Sequence, residues 1–576
     1  MKSGLTVPSI PRIDADRSHP TRGPITPVVR WTREWLREPW WLACWGLIGA
    51  WAIGYLTWPF SYDQGVLSWV GRTIADGGLP YRDAWEIRGP FPFLVYAAIA
   101  KVFGSAQWPL RAVDLAILSC GLWCAARLAR SFGGSFAAKC AVALYVLWYA
   151  SLGHHDTAQS DGWNAVMIAG VMVALFARDG LPTARHAAVA GALIGLCILS
   201  KPTYAIYLAL PGLVGLLQVR TRGVAWLARF WGAGVIALAA VTAGILLWLH
   251  AGRALGDLID IHLRWLLSHY TNVEFGWMNR AQRAASYLTA DAFATATAPA
   301  VLGACMVWRR SRTAAALLIA WVVSAIAGVM AQGNFFAYHW HPLYPAFAML
   351  AGIGIASLFS MAHEAQTRSA MVPAMAFAGV MFFAAALRPA VHVYRSAEFA
   401  VGLISRERFE AIEFGPYGLT GPFAQLSRYF RTHTTPKQSV LVWGLAPGVY
   451  YGSGRQAPSR FGYVTPLIGE HEDDFLRRYQ RDFLAHMSAS PPAYVATLAP
   501  SVCANARRLD ERKSYGPAAE MMLCMDEFPA LARMLSQRYV ADSSIGVIAM
   551  YRLQPSANRA ARPPVTSAGD VDRTRR

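Results

Sequence analysis

SYDQGVLSWVGRTIADGGLPYRDAWEIRGPFPFLVYAAIAKVFG, residues 61–104, follows the first long apolar run of the chain and places Asp63 almost at the membrane edge. After that acid come a short amphipathic helix, then Glu86 and Arg88, then another apolar stretch. This order reads as an active site at a bilayer face, the placement that chemistry on a lipid-borne substrate requires.

Composition carries the reading outward. A chain of 576 residues with 55% hydrophobic and 15% charged residues is not an ordinary soluble domain. A bilayer-spanning helix needs roughly 20 mainly apolar residues, and about eleven such windows lie between Trp40 and Leu387. The expected fold class is a polytopic α-helical membrane protein with about eleven transmembrane helices. Residues 40–60 are too long and Trp-rich for a signal peptide, and no small-residue cleavage site follows them. Ahead of them, residues 1–39 carry Lys2, Arg12, Arg17, Arg22, Arg30, Arg33 and Arg37, a basic tail that stays in the cytoplasm, so the first span runs outward.

The later loops test that count. Basic clusters at Arg127, Arg130 and Lys139, at Arg178 and Arg185, at Arg220, Arg222 and Arg229, and at Arg309, Arg310 and Arg312 all fall inside, provided that residues 91–103 lie along the outer face. The second span then runs inward over 109–126 and the third outward over 137–152, to a loop GHHDTAQSDGW at 153–163. Two acid-bearing loops thus share one face. Residues 186–217 read as a helical hairpin with Ser200, Lys201 and Pro202 at its outer tip. A mid-bilayer lysine costs roughly 2.5–3.5 kcal/mol, whereas at the tip Lys201 meets a phosphate or snorkels from a helix end. Further spans at 231–249, 292–307 and 313–331 enclose an external stretch with His250, Arg253, His262, Arg264, His269 and Tyr270, and an outer loop QGNFFAYHWHPLYP at 332–345 precedes two last spans.

Residues 389–553 read as a small extracytoplasmic α/β domain, with strands at 439–444, 492–498 and within 538–553 and a helix near 446–452. The remainder, 554–576, reads as disordered. Six cysteines sit in or beside apolar spans as small hydrophobes. Cys503 and Cys524 fall in the external domain, where a disulfide persists, although spacing alone does not establish the pair. The net charge of +19 is explained by topology and attraction to anionic lipid, without nucleic acid.

On Asp63, PYRDAWEIRGPFPF at 80–93, KVFG ending at Gly104 before Arg111, Asp161, LSKPT at 199–203, YHWHPLYP at 338–345 and VWGLAPGVYYGSGRQAPSRF at 442–461, the chain resembles a known family. It is similar to the membrane-embedded glycosyltransferases of the GT-C fold that use polyprenyl-phosphate sugars. The likeness is closest to the bacterial RgtA-like and dolichyl-phosphate-mannose protein mannosyltransferase-like group, and more distant to the aminoarabinose transferase of lipid A. The matches span most of the chain, each of them short.

The resemblance implies a GT-C catalytic domain over 40–388 and a site at the outer face. Asp63 would be the base for the acceptor hydroxyl, a role that suits a carboxylate with a raised pKa in a partly dehydrated cleft. Asp161 would orient the acceptor or a divalent ion, and Glu86, Arg88, Lys201, Tyr338 and His339 would bind the donor. Arg88 stands where the aminoarabinose transferase relatives have lysine, keeping the charge and offering a fork for phosphate oxygens, and Gly89 replaces one of their two prolines. Plainer readings stand beside these: a turn acid at Asp63, mutual pairing of Glu86 with Arg88, and an interfacial aromatic belt at Phe335, Phe336 and Trp340. His154, His155 and Asp156 are candidate metal ligands or a solvated loop.

The expected activity is transfer of a sugar from a polyprenyl phosphate to a lipid, glycan or protein acceptor outside the cytoplasm of a bacterial inner membrane, with inversion as the family implies. The chemistry requires no cofactor, and magnesium or manganese is compatible with it. A transporter or flippase of lipid-linked saccharides is the main rival, against which no internal repeat is seen, and a scaffold recruiting partners is a third reading. Neither accounts for a large acid-bearing loop directly after the first span.

Overall fold

In hydrocarbon every backbone N–H and C=O must be satisfied within the chain, so long apolar runs without charge become helices. Among the described residues, six helices are long and apolar enough to cross a membrane: Trp108–Ala150, Pro202–Arg222, Val224–Ala251, Arg312–Gln332, Ala337–Glu364 and Met371–Ala400. Four shorter apolar helices accompany them: Leu42–Leu56, Pro90–Phe103, Ser160–Leu175 and Ala184–Ser200. The chain is a multi-pass membrane protein. This computed structural model describes residues 39–555 except 177–181, 270–275, 290, 365–367, 416–418, 470–472, 507–508 and 516. The basic tail before residue 39, Arg178, Tyr270 and nearly all of the 554–576 tail lie outside the described residues.

Trp108–Ala150 is two arms, not one rod. Gly134 adopts φ 77°, ψ −168° within it, a left-handed conformation that glycine takes without a Cβ penalty. Asp114 Oδ2 accepts a 2.6 Å hydrogen bond from the Tyr149 hydroxyl, 35 residues further on. In a straight helix at 1.5 Å per residue the two would stand about 50 Å apart. The chain therefore doubles back at Gly134, with one arm over the 109–126 window and the other over 137–152. Small residues let neighbouring helices touch backbone to backbone, as where a Cβ on Gly354 would lie 1.9 Å from the Pro299 carbonyl oxygen.

The boundary expected at 388/389 falls inside the continuous helix Arg368–Ala400. Pro389 sits in its interior without ending it, and the chain turns only at Gly402, with φ 77°. Beyond, four strands form one sheet, β1 (Val440–Val442), β2 (Tyr494–Leu498), β3 (Tyr539–Ile545) and β4 (Ile548–Leu553), in the order β1-β2-β4-β3. β1 and β2 are parallel, and β3 and β4 form a hairpin turning at Gly546. Helices Gly421–His433 and Asp474–Ala489 belong to the same unit, and Cys503 is disulfide-bonded to Cys524.

The core of this unit runs on into the first loop. One buried apolar cluster joins Phe60, Trp69 and Trp85 of the first loop to Trp443, Tyr463 and Phe483 of the C-terminal unit. The backbones are joined as well: Leu419 N–H donates to the Phe60 carbonyl at 2.7 Å and Trp85 N–H to the Arg460 carbonyl at 2.7 Å. Arg460 in turn pairs with Asp257 at 2.8 Å and Asp482 at 3.1 Å, which fastens the 255–269 segment to the same unit.

Candidate active site

The first loop is built to hold Asp63 inward. Ser61 N–H donates to Gln64 Oε1 at 3.1 Å, closing the first turn of helix Tyr62–Ala75 and burying Asp63 in it. Residues 79–89 then form an irregular loop in which Tyr81, at φ 70°, donates its hydroxyl to the Arg88 carbonyl at 2.9 Å. Gly89 N–H donates to the Ser200 carbonyl at 3.0 Å, and a Cβ on Gly89 would lie 2.1 Å from the Leu199 carbonyl oxygen. The loop rests directly on the Lys201 turn, which explains glycine at this position.

Arg88 lies between two carboxylates. It donates to Asp63 Oδ1 and, through Nη1, to Glu86 Oε1 at 2.9 Å. The other Glu86 oxygen accepts from the Tyr463 hydroxyl of the C-terminal unit at 2.9 Å. Asp63 also accepts from Gln159 Nε2 at 3.3 Å and from the Tyr338 hydroxyl, and His155 Nε2 stands 3.9 Å from its Oδ2. Burial pushes the Asp63 carboxyl up, but the Arg88 guanidinium, His155 and the Tyr338 hydroxyl together outweigh it and hold the group below the ordinary carboxylate range. The expectation of a raised pKa is therefore corrected: the groups that face Asp63, Arg88 foremost, decide the sign.

Asp161 opens helix Ser160–Leu175 and is held by a second cation. Lys201 Nζ lies 3.0 and 3.2 Å from its two oxygens and 2.7 Å from Gln332 Oε1, and the Tyr204 hydroxyl donates to Oδ1 at 2.9 Å. His339 lies within electrostatic reach of Lys201, Asp161 and Asp63. The buried Nδ1 of His339 has no hydrogen-bond partner among the described residues.

Asp63, Glu86, Arg88, Asp161, Lys201, Tyr338 and His339 are thus brought together. The three metal candidates are not: the His154 ring packs on Phe414 at 5.1 Å while His155 faces Asp63, and burial raises the Asp156 carboxyl. Among the described residues no group of three His, Cys, Asp or Glu side chains is placed to hold an ion.

Beneath the site lies a polar network that pattern reading passes over. The fully buried Arg111 donates to the Pro59 carbonyl at 2.6 Å, to Gln64 Oε1 at 2.7 Å and to Thr157 Oγ1 at 3.3 Å. Gln64 Nε2 donates in turn to the carbonyls of His154 and Thr157 at 2.9 and 2.5 Å, which locks the two acid-bearing loops together. One turn on, Asp114 accepts from Tyr55, Tyr149 and Trp163 at 2.7, 2.6 and 2.9 Å. The available signal was an Arg and an Asp three residues apart at the head of an apolar window. Gln159, Tyr204, Gln332 and Tyr463 carry no such signal.

No protein-family model matches the chain, and no curated protein matches it. Among solved structures, ArnT from Cupriavidus metallidurans in the apo state is similar with a TM-score of 0.55 at 16% identity, over 92% of this chain and 98% of that one. The same protein bound to undecaprenyl phosphate gives 0.54 at 15% over the same shares. The chain has the GT-C fold. Within the GT-C frame, the sequence fragments that carried the resemblance at Asp63, 80–93, Asp161, 199–203 and 338–345 converge on one site. An oligosaccharyltransferase from Archaeoglobus fulgidus, tethered with an acceptor peptide, stands further off, with a TM-score of 0.45 at 13% identity over 91% of this chain and 75% of that one.

Proposed function

We propose that this protein is a membrane glycosyltransferase that moves a sugar from a polyprenyl phosphate to an acceptor hydroxyl outside the cytoplasm. The observation that carries the reading is that two buried acids, each paired with its own cation, both lie within electrostatic reach of His339 in one site at the ends of apolar helices. Phosphoglycosyl donors demand both parts: a base for the acceptor and positive charge for the departing phosphate.

In the proposed step the acceptor oxygen attacks the anomeric carbon while the bond from that carbon to the phosphate oxygen breaks. The acceptor proton passes to Asp63, and the bonding pair leaves with the polyprenyl phosphate. Such a displacement inverts the anomeric centre. With Arg88 on Asp63 the carboxylate is ionised but weakly basic. A donor phosphate that draws the guanidinium away strengthens the base as the leaving group is bound. Lys201, held by Asp161, supplies the second positive charge and the His339 ring a hydrogen bond. Both acids are already paired with cations, so the donor set does not fit a divalent ion and no step runs through one.

The proposed placement is a bacterial inner membrane with about eleven crossings, the site and the C-terminal unit facing the periplasm. The Cys503–Cys524 bond supports that side, because disulfides persist where the surroundings oxidise. ArnT has been crystallised with undecaprenyl phosphate, a lipid of the proposed donor class. The test is incubation of the purified protein with a panel of radiolabelled polyprenyl-phosphate sugars and membrane extract. Label on a new product together with free polyprenyl phosphate is expected; label that only changes sides on an intact donor means a transporter.

A further inference from the structure

Where three apolar helices end, a cavity opens away from the acids. It has a volume of about 550 Å³ and a floor of Leu56, Trp58, Trp108, Phe399, Phe409 and Phe414. Leu56 closes helix Pro39–Leu56, Trp108 opens Trp108–Ala150 and Phe399 stands at the end of Arg368–Ala400. The floor therefore lies at the level of the bilayer surface. Val401 and Leu403 beside it are 71% and 74% exposed, an apolar margin that belongs in lipid.

The upper wall comes from helices Arg406–Glu413 and Gly421–His433 and is positive. Arg406, Arg428 and Arg431 line it against a single acid, Glu410. That acid is already engaged, by Arg406 Nε at 2.7 Å and by Gly421 N–H at 3.0 Å. Arg431 donates to the Gly452 carbonyl, while the Arg428 guanidinium meets no acceptor among the described residues. No lining residue belongs to the Asp63–Arg88 or Asp161–Lys201 groups. Trp58 and Phe414, 6.0 Å apart, wall the cavity off from His154.

We propose that this cavity binds an anionic phospholipid of the surrounding bilayer, its phosphodiester on Arg428 and Arg406 and its acyl chains over the aromatic floor. An apolar floor at membrane depth calls for an amphiphile, and an uncompensated arginine fork selects a phosphate that carries net charge. One wall is made of span ends and the other of the C-terminal unit, so the bound lipid fastens the two together.

The test uses the full chain, purified and stripped of lipid, then offered equal amounts of phosphatidylglycerol and phosphatidylcholine, with retained lipid read by native mass spectrometry. Phosphatidylglycerol is expected to be retained in preference and to raise the melting temperature. Arg428→Gln, at an exposed position, is expected to lower the preference about fivefold, and Arg428→Lys to keep most of it. Sugar transfer in detergent without added lipid is expected to be the same in the wild type and in Arg428→Gln, which separates this site from the catalytic one. Equal retention of the two lipids, or an unchanged preference in Arg428→Gln, would overturn the proposal. So would displacement of the lipid by soluble glycerol phosphate at equal concentration, which would mean that only a headgroup is recognised.

Discussion

At the scale of single residues, the pairing of Asp63 with Arg88 sets the protonation state of the site. Its sign has a consequence for pH. The folded carboxyl is depressed, so it stays ionised through neutrality, and activity is lost only as pH falls below the ordinary carboxylate range. Its contribution to stability runs the same way, present above the unfolded value and drained as pH falls through the lower folded one. In Arg88→Gln the foremost group opposing the burial of Asp63 is gone, so the acid limb of kcat against pH is expected to move upward. A limb that stays in place would show that Arg88 does not control the group. The position of Asp63 was legible in the sequence, as an acid just past an apolar run. Its partner was not, because Arg88 lies 25 residues away and was equally free to pair with Glu86 alone.

At the scale of elements, the site depends on a loop laid onto a helix tip without clearance. Gly89→Ala would push a methyl group into the Leu199 carbonyl oxygen, displacing the 79–89 loop and with it Arg88. A misplacement of about 1 Å costs about 10²-fold in rate, so kcat is expected to fall by that order while the protein still inserts and unfolds cooperatively. Activity at the wild-type level would show that the loop can rise without disturbing the site. The helices themselves were legible from apolar windows, and the basic cluster at Arg127, Arg130 and Lys139 marked the turn of the long hairpin, though not Gly134 as its pivot. The end of Arg368–Ala400 was placed too early, at 388, because the apolar run stops there while the helix continues through Pro389 into a more polar stretch. The Arg111 network escaped because some of its acceptors are backbone carbonyls, which no residue pattern reveals, and its side-chain partners Gln64 and Thr157 stand 47 and 46 positions away.

At the scale of the whole molecule, the C-terminal unit is part of the proposed active site. It shares a core with the first loop and delivers the Tyr463 hydroxyl to Glu86. Tyr463→Phe leaves a buried carboxylate oxygen unpaired, and kcat/KM is expected to drop about tenfold, equivalent to ~1.4 kcal/mol. The loss should appear in kcat more than in KM if Tyr463 acts by positioning Glu86 and Arg88. The strands of this unit were legible from β-branched runs, but its dependence on residues 60–85 was not, since the contacts join segments nearly 400 positions apart.

The central claim is that Asp63 takes the acceptor proton in a sugar transfer. The most direct measurement is single-turnover transfer from a labelled polyprenyl-phosphate sugar by the wild-type protein and by Asp63→Asn, matched for membrane insertion. A loss of about 10²–10⁴-fold or more in the variant is predicted. Transfer by Asp63→Asn at the wild-type rate would contradict it.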